Sequence, residues 1–585
     1  MPTSPVKPNL LIVMTDEHNL RTISAYRDHL LTKHDIEHVD VWGDGVYSKT
    51  HWIDTLAKEG ALYSNFYSVA PLCTPSRASF MTGMYPQFVG AEFNHRPMDS
   101  NFKTFADILR DQRGYRTGYM GKWHLDGGAK PGWGDNGRDF GFDYNTYRFN
   151  RGHWKYFVET NGSVQEYKSH SQFDSDVDGS ASKHFATDFL VDRGIEFIQS
   201  AVSDNEPFAL MISIPDPHGP NEVRRPFSTQ FENEYFKYPK TATANLKADP
   251  ASPVWNYLNR DDYPFNDVDK YVQDYEAGSY WQNQLQQYFG MVANIDYNMG
   301  KLLYEIRAAG QEDNTIVIFT SDHGDLLGEH GKVNKGKPYE TSAGIPFLIK
   351  YPDKIQAGKV VETPYSTVDF APTLLSLMNI KDLSQLTFQG VDGSEELLNS
   401  SLVSKNDDKI IFTMDTGNTP TWAAAVKDGH KFIVSSGSKP YLFDVNIDPD
   451  ELINYIDSPN HAVVKAELQA ALGEALVIYD IPMTRNDDDI YLEIPACFDS
   501  SDVLQLRNGQ KVLCKDMGNN LYTNDCGDWN VNTHCPKTCG TCKCEDSVGP
   551  IFVGGEVKTC EDLADQCTSS WNVRDFCRKT CSTCT

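Results

Sequence analysis

Over its first 496 residues this chain has a single cysteine, Cys73, and the other twelve of its thirteen all fall between Cys497 and Cys584. Disulfides therefore cannot stabilise the larger part of the molecule, which must rely on an apolar core. The tail has the cysteine density of small disulfide-held modules and points to an oxidising compartment. A surplus of positive charge is missing too: 53 basic against 81 acidic residues leave a formal charge of −28. That balance argues against a nucleic-acid partner, whose phosphates need a basic footprint. Long apolar runs are also absent, and no window approaches the roughly 18 residues of a membrane-spanning helix. Met1 to Pro8 lacks the apolar core of a signal peptide, because the first hydrophobic run, Leu10 to Met14, is short and ends in acids. A cysteine-rich tail without a leader is reconciled if a leader has been removed or replaced, so the expected location is secreted or within the secretory pathway. The sequons Asn161-Gly162-Ser163 and Asn399-Ser400-Ser401 agree with that.

What is present describes a globular protein. The chain has 585 residues, 40% of them hydrophobic and 12% aromatic, too many for one ordinary core. Asn9 to Asp16, Phe208 to Ile214 and Thr315 to Ser321 are short apolar runs with the look of buried parallel strands, and each leads into acids or histidines. Between them, 50–60, a segment capped by Thr104, 184–202 and 275–309 read as helices; Ala61 to Val69 reads as a further strand. Residues 130–180 read as a long irregular insertion able to supply substrate contacts. The alternation predicts an α/β fold with a large, mostly parallel sheet flanked by helices, whose ligands bind beyond the carboxyl ends of the strands. Asp16, His218, Asp322 and His323 all fall at that end. Beyond residue 400 the runs 409–414, 422–427, 431–434 and 441–444 have the spacing of an antiparallel meander and precede a helix over 462–479.

Two stretches carry chemistry. Cys73-Thr74-Pro75-Ser76-Arg77 places a thiol beside the start of a helix, since Pro75 suits a first helical turn, where free N–H groups favour an anion. Arg77 adds a permanent fork of donors. Gly114-Tyr115-Arg116-Thr117-Gly118-Tyr119-Met120-Gly121-Lys122-Trp123-His124 is the second. Together they resemble the two signatures of the type I, formylglycine-dependent sulfatases, members of the alkaline phosphatase superfamily. The resemblance implies an alkaline phosphatase-like catalytic domain over 1–400, a small antiparallel subdomain over 401–490, and sulfate ester hydrolysis. It also implies that a formylglycine-generating enzyme converts Cys73 to an aldehyde whose hydrate is the nucleophile.

The resemblance assigns roles by position. Asp16, Glu17, Asp322 and His323, with residue 73, would hold a divalent cation, Ca²⁺ first and Mg²⁺ second, because the donors are mostly oxygen. Glu17 stands where the family often has Asp. Lys122 and Lys335 would grip sulfate oxygens; Lys335 is taken over Lys337 because the family's lysine lies four residues before the aromatic of a Tyr-Glu pair, here Tyr339-Glu340. Arg77 and His124 would hold the hydrate. One hydroxyl, deprotonated with help from Asp322, attacks sulfur while His218 protonates the leaving alcohol, and His124 takes the second hydroxyl's proton. His51, His95 and His330 lack motif support and are left without a role. The substrate is expected to be a sulfated carbohydrate. Two other readings stay open: a phosphonate or phosphate ester hydrolase of the same superfamily, and a non-catalytic sulfate-binding matrix protein.

The tail repeats itself. Cys497, Cys514, Cys526, Cys535, Cys539 and Cys542, then Cys544, Cys560, Cys567, Cys577, Cys581 and Cys584, both close on Lys-Thr-Cys-x-Thr-Cys. Zinc would need a matching second pair or a histidine array, and neither is present. Two six-cysteine modules over 497–542 and 544–584 resemble the ShK toxin fold. The resemblance implies pairing of first with sixth, second with fourth and third with fifth, out of the roughly 15 pairings six cysteines allow. Such modules could tether the enzyme to a matrix or polysaccharide.

Overall fold

The computed structural model describes residues 7–134, 138–172, 184–242, 279–380, 387–415, 421–435 and 439–479, and four short strands within 503–558. The twelve tail cysteines, and with them both expected ShK-like modules and their pairing, lie outside the described residues.

A nine-stranded sheet forms the centre. Across it run Val403–Ser404, Lys359–Val361, Ala61–Tyr63, Phe347–Lys350, Thr315–Ser321, Asn9–Asp16, Phe208–Pro217, Arg116–Lys122 and Arg148–Phe149. Asn9–Asp16 lies parallel between Phe208–Pro217 and Thr315–Ser321, and Arg116–Lys122 continues the parallel set. Phe347–Lys350 alone runs against both its neighbours. The expected mixed, mostly parallel α/β sheet is therefore observed.

Side chains of a strand alternate between faces, and Asn9–Asp16 shows what that does here. Leu10, Ile12 and Met14 enter a core with Phe80, Phe105 and Phe370, from the helices Cys73–Thr82, Phe105–Arg113 and Thr367–Leu377. Leu11 and Val13 enter the opposite core with Ile53, Leu190 and Ile295, from His51–Glu59, Ala186–Ser203 and Ser279–Ala308. A strand buried on both faces cannot alternate apolar with polar residues, which is why it reads as a continuous run. Thr104 caps its helix as expected, in a reciprocal box with Asp107.

Three local expectations change. Ala61 to Val69 divides into Ala61–Tyr63 in the large sheet and Phe66–Tyr67, which pairs with Tyr365–Ser366 in a separate sheet. The helix of the first motif begins at Cys73 itself, with Leu72 as its cap. The insertion is not wholly irregular, because Tyr156–Thr160 and Ser163–Tyr167 form a hairpin. Its turn, Asn161-Gly162, has φ of 52° and 77°, the left-handed pair that a two-residue hairpin loop requires. Beyond residue 400, Ile411–Met414, Trp422–Lys427, His430–Ser435 and Tyr441–Asp444 form the expected four-stranded antiparallel meander, and the helix Ala462–Ile478 packs on it.

Candidate active site

The parallel strands deliver their polar residues to one edge. Asp16 closes the first strand, Lys122 closes Arg116–Lys122, His218 follows Phe208–Pro217, and Asp322 and His323 follow Thr315–Ser321. The Cys73–Thr82 helix, buried at every position, comes up against this edge. Cys73 Sγ lies 3.3 Å from His323 Nε2, 3.6 Å from Lys122 Nζ and 3.8 Å from Asp16 Oδ1. Ligand atoms of Asp16, Cys73, Asp322 and His323 lie within 4.8 Å of one another. Gly121 makes the approach of the two strands possible: its φ is 99°, and a Cβ there would lie 2.0 Å from the Ser213 carbonyl oxygen.

Arg77 binds this group together. Its guanidinium donates to Asp322 Oδ2 at 2.8 Å, Asp16 Oδ2 at 3.1 Å, Ser213 Oγ at 2.7 Å and the Lys122 carbonyl at 2.9 Å. Its donors thus face the two carboxylates, where the sequence suggested a grip on the nucleophile. Burial pushes the Asp16 carboxyl up, but Lys122 and Arg77 hold it well below the usual carboxylate range. Burial and Asp16 push the Cys73 thiol up, and Lys122, Lys335 and His323 outweigh them to leave it below its ordinary value. His323 donates Nδ1–H to the Gly324 carbonyl at 3.0 Å, so that Nε2 faces Cys73. Burial lowers its pKa, yet Asp322 and Cys73 bring it up to about 9.

A second group adjoins the first. Glu17 Oε2 lies 2.9 Å from both Lys335 Nζ and His218 Nε2, and Lys335 Nζ lies 2.7 Å from His218 Nε2. Lys155 fixes this corner, its ammonium bonding the His218 carbonyl at 2.9 Å and Asp216. Glu17 has φ of 61°, strained for a non-glycine residue. Its other oxygen, Oε1, is buried without a hydrogen-bond partner. Burial raises the Glu17 carboxyl, and His218 and Lys335 bring it below its usual range.

These donors fit a divalent cation. An unpartnered buried carboxylate oxygen is costly unless a positive group meets it, and Glu17, whose backbone N–H bonds Asp322 Oδ1, follows Asp16 directly in the chain. The four-atom cluster comprises Asp16, Cys73, Asp322 and His323; Glu17 is not among its members.

His124 is bonded through Nε2 to His95 Nδ1 at 3.0 Å, and its carbonyl accepts from Thr74 Oγ1, the residue after Cys73. Burial, Lys122 and Arg77 push it well below the ordinary histidine value. His95, set aside on sequence grounds, is thus its partner. Sequence reasoning missed His153 altogether. That ring stacks on His218 with centroids 3.4 Å apart and meets Lys122 Nζ at 2.8 Å, linking the two groups. Its only advance signal was its place in the aromatic insertion. His330 instead stacks on Tyr339.

Residues 8–380 match the family described as Sulfatase, and residues 328–477 match N-sulphoglucosamine sulphohydrolase, C-terminal. The chain is 28% identical over 485 residues to the ulvan-active sulfatase of Formosa agariphila, covering 81% of each chain. It is 27% identical over 424 residues to the N-acetylglucosamine-6-O-sulfatase of Bacteroides thetaiotaomicron, covering 64% of this chain and 68% of that one. A solved structure in complex with its substrate D-glucosamine-2-N,6-O-disulfate superposes with a TM-score of 0.61 at 23% identity, covering 81% of this chain and 98% of the other. The phosphonate monoester hydrolase of Agrobacterium radiobacter superposes with a TM-score of 0.58 at 19% identity, covering 87% and 99%. These likenesses establish the alkaline phosphatase-like α/β fold.

Proposed function

Because this chain belongs to the sulfatase family and is a sulfuric ester hydrolase, we propose that it removes sulfate from a sulfated carbohydrate with a formylglycine derived from Cys73. The observation that carries this reading is the convergence of Cys73 with Asp16, Asp322, His323 and Lys122 at one sheet edge. Two of the named relatives are an ulvan-active sulfatase and an N-acetylglucosamine-6-O-sulfatase, which supports a sugar as the alcohol. The Tyr- and Trp-rich insertion offers rings of a kind suited to stacking on sugars. A phosphonate substrate has only a shared fold behind it.

Asp16, Asp322, His323 and Glu17, with residue 73, would hold the cation, Ca²⁺ before Mg²⁺ since oxygen donors predominate. Such a cation supplies Lewis acidity toward a bound sulfate oxygen. A hydrated aldehyde at position 73 supplies the nucleophile. The chain's own residues do the rest. Lys122 and Lys335, one on each side of the His153–His218 stack, are placed to hold sulfate oxygens. Arg77 keeps Asp16 and Asp322 in register by bonding both. His218 is oriented by Lys155 and carries a proton to the leaving alcohol, while His124, held neutral by its surroundings, accepts one.

Activity profiling against a panel of sulfated sugars, with an aryl sulfate and an aryl phosphate as references, tests the substrate. A preference for one sulfated sugar over both references supports the proposal; a higher kcat/KM on the phosphate overturns it. Mass spectrometry of the peptide containing residue 73 should find an aldehyde, and Cys73→Ala should lose at least about 10⁴-fold in kcat. The chain would act outside the cytosol, with its sequons at the exposed Asn161 and Asn399 available for glycosylation. The two tail modules would tether it: deleting 497–585 should leave aryl sulfate turnover intact while weakening adsorption to polysaccharide.

A further inference from the structure

The small antiparallel sheet contains a cluster that the hydrolytic reaction does not use. His430 opens the strand His430–Ser435 and stands opposite Asp444 in the ladder, and His461 ends the short turn that leads into the helix Ala462–Ile478. His430 Nε2 lies 3.3 Å and His461 Nε2 3.1 Å from the same oxygen, Asp444 Oδ2. Ligand atoms of the three residues lie within 4.8 Å of one another.

The outer sides of the rings settle how they face inward. His430 Nδ1 lies 3.0 Å from the Asp428 carbonyl, an acceptor only, so Nδ1 carries the hydrogen. With Nδ1–H so committed, Nε2 turns toward the Asp444 carboxylate, a pairing that a cation or a proton between the two atoms satisfies. His461 is held at Nδ1 by the Ser458 hydroxyl at 2.8 Å and packs against the Tyr455 ring. Asp444 uses its other oxygen to accept the Asn446 N–H at 3.1 Å. Each side chain is thus fixed from behind by a hydrogen bond on the atom away from the cluster, which is how metal-bound histidines and carboxylates are oriented.

The spacing agrees. Ligand bonds of about 2.0–2.1 Å in a tetrahedron put donor atoms roughly 3.3 Å apart, matching the two nitrogen-to-oxygen distances. Side-chain exposures of 19% for His430, 8% for Asp444 and 11% for His461 leave the cluster reachable from solvent. Two imidazoles and one carboxylate select a borderline transition cation over Ca²⁺ or Mg²⁺.

We propose that His430, Asp444 and His461 form a binding site for a divalent cation of the zinc class. The bound cation ties the last hairpin of the small sheet to the start of the helix that covers it, closing the connection 445–461. Its role is structural, and it shares no residue with the cluster around Cys73.

The test uses the full chain, free of any histidine tag, with excess calcium present and zinc chloride as the probe. Equilibrium dialysis with elemental analysis should give about one more zinc per chain in the parent than in H430Q/H461Q. Zinc should raise the melting temperature of the parent and not that of the variant, with kcat/KM on an aryl sulfate within about twofold. Equal zinc content in the two proteins overturns the site, as does zinc that disappears with D322N and persists in H430Q/H461Q. Should the double variant fail to fold, H461N is measured the same way: loss of the equivalent supports the site, retention overturns it.

Discussion

Two lysines, one buried and one at the sheet edge, show how differently the same ammonium group is used. Lys431, in the small sheet, is 1% exposed and bonds Glu340, Glu451 and the Pro338 carbonyl at 2.6, 2.8 and 2.7 Å. An ammonium has three hydrogens, and all three are spent on fixed oxygen acceptors. Lys335, at the sheet edge, is 14% exposed and, among the described residues, bonds Glu17 and His218, which are themselves in contact. Burial pushes both lysines down, and their carboxylate neighbours bring both above the ordinary value. Charge alone does not separate them. Saturation does: Lys431 is a clamp between two parts of the chain, and Lys335 keeps a donor for a ligand.

The largest expected effect breaks the comparison at the open lysine. Lys335→Met should lower kcat/KM on an aryl sulfate by about 10²–10³-fold, the loss seen when one preorganised donor to developing charge is removed. Lys337→Met, two residues on, should leave it within about twofold, and equal losses would unseat Lys335. At the saturated lysine the balance reverses. Lys431→Met leaves Glu340 and Glu451 without their cation and should cost about 3–5 kcal/mol in urea unfolding. Its kcat/KM at 25 °C should stay within about tenfold, and its unfolding midpoint should fall further than that of Lys335→Met. The smallest effect belongs to Glu451, whose carboxyl burial and Glu340 raise to about 7 against the pull of Lys431. A carboxyl with a raised folded value contributes stability below its unfolded value that is lost as pH rises. The melting temperature should therefore decline between about pH 4.5 and 7, and Glu451→Gln should flatten that decline.

The sequence carried the sheet well where burial on both faces forced continuous apolar runs, as in Asn9–Asp16 and Thr315–Ser321. It carried the edge of the site because parallel strands end on one side, so that Asp16, His218, Asp322 and His323 fall together there. Strand order across the sheet was not legible, nor was the reversed direction of Phe347–Lys350, because pairing partners are set by long-range packing. The hairpin 156–167 had a local signal in Asn161-Gly162 that the surrounding polar composition masked. His153 had none, since stacking on His218 is a tertiary event between residues 65 apart in sequence. Arg77 shows a subtler limit: its presence was readable, and which four acceptors it would choose was not.

The helix that starts at Cys73 is buried at every position, and Cys73 is 1% exposed. A modifying enzyme acting on this residue, as proposed above, would need the segment as an extended polypeptide, before the first turn of the helix docks. Under the proposed conversion of Cys73, activity would be settled during synthesis, and a chain that folded first would keep its thiol.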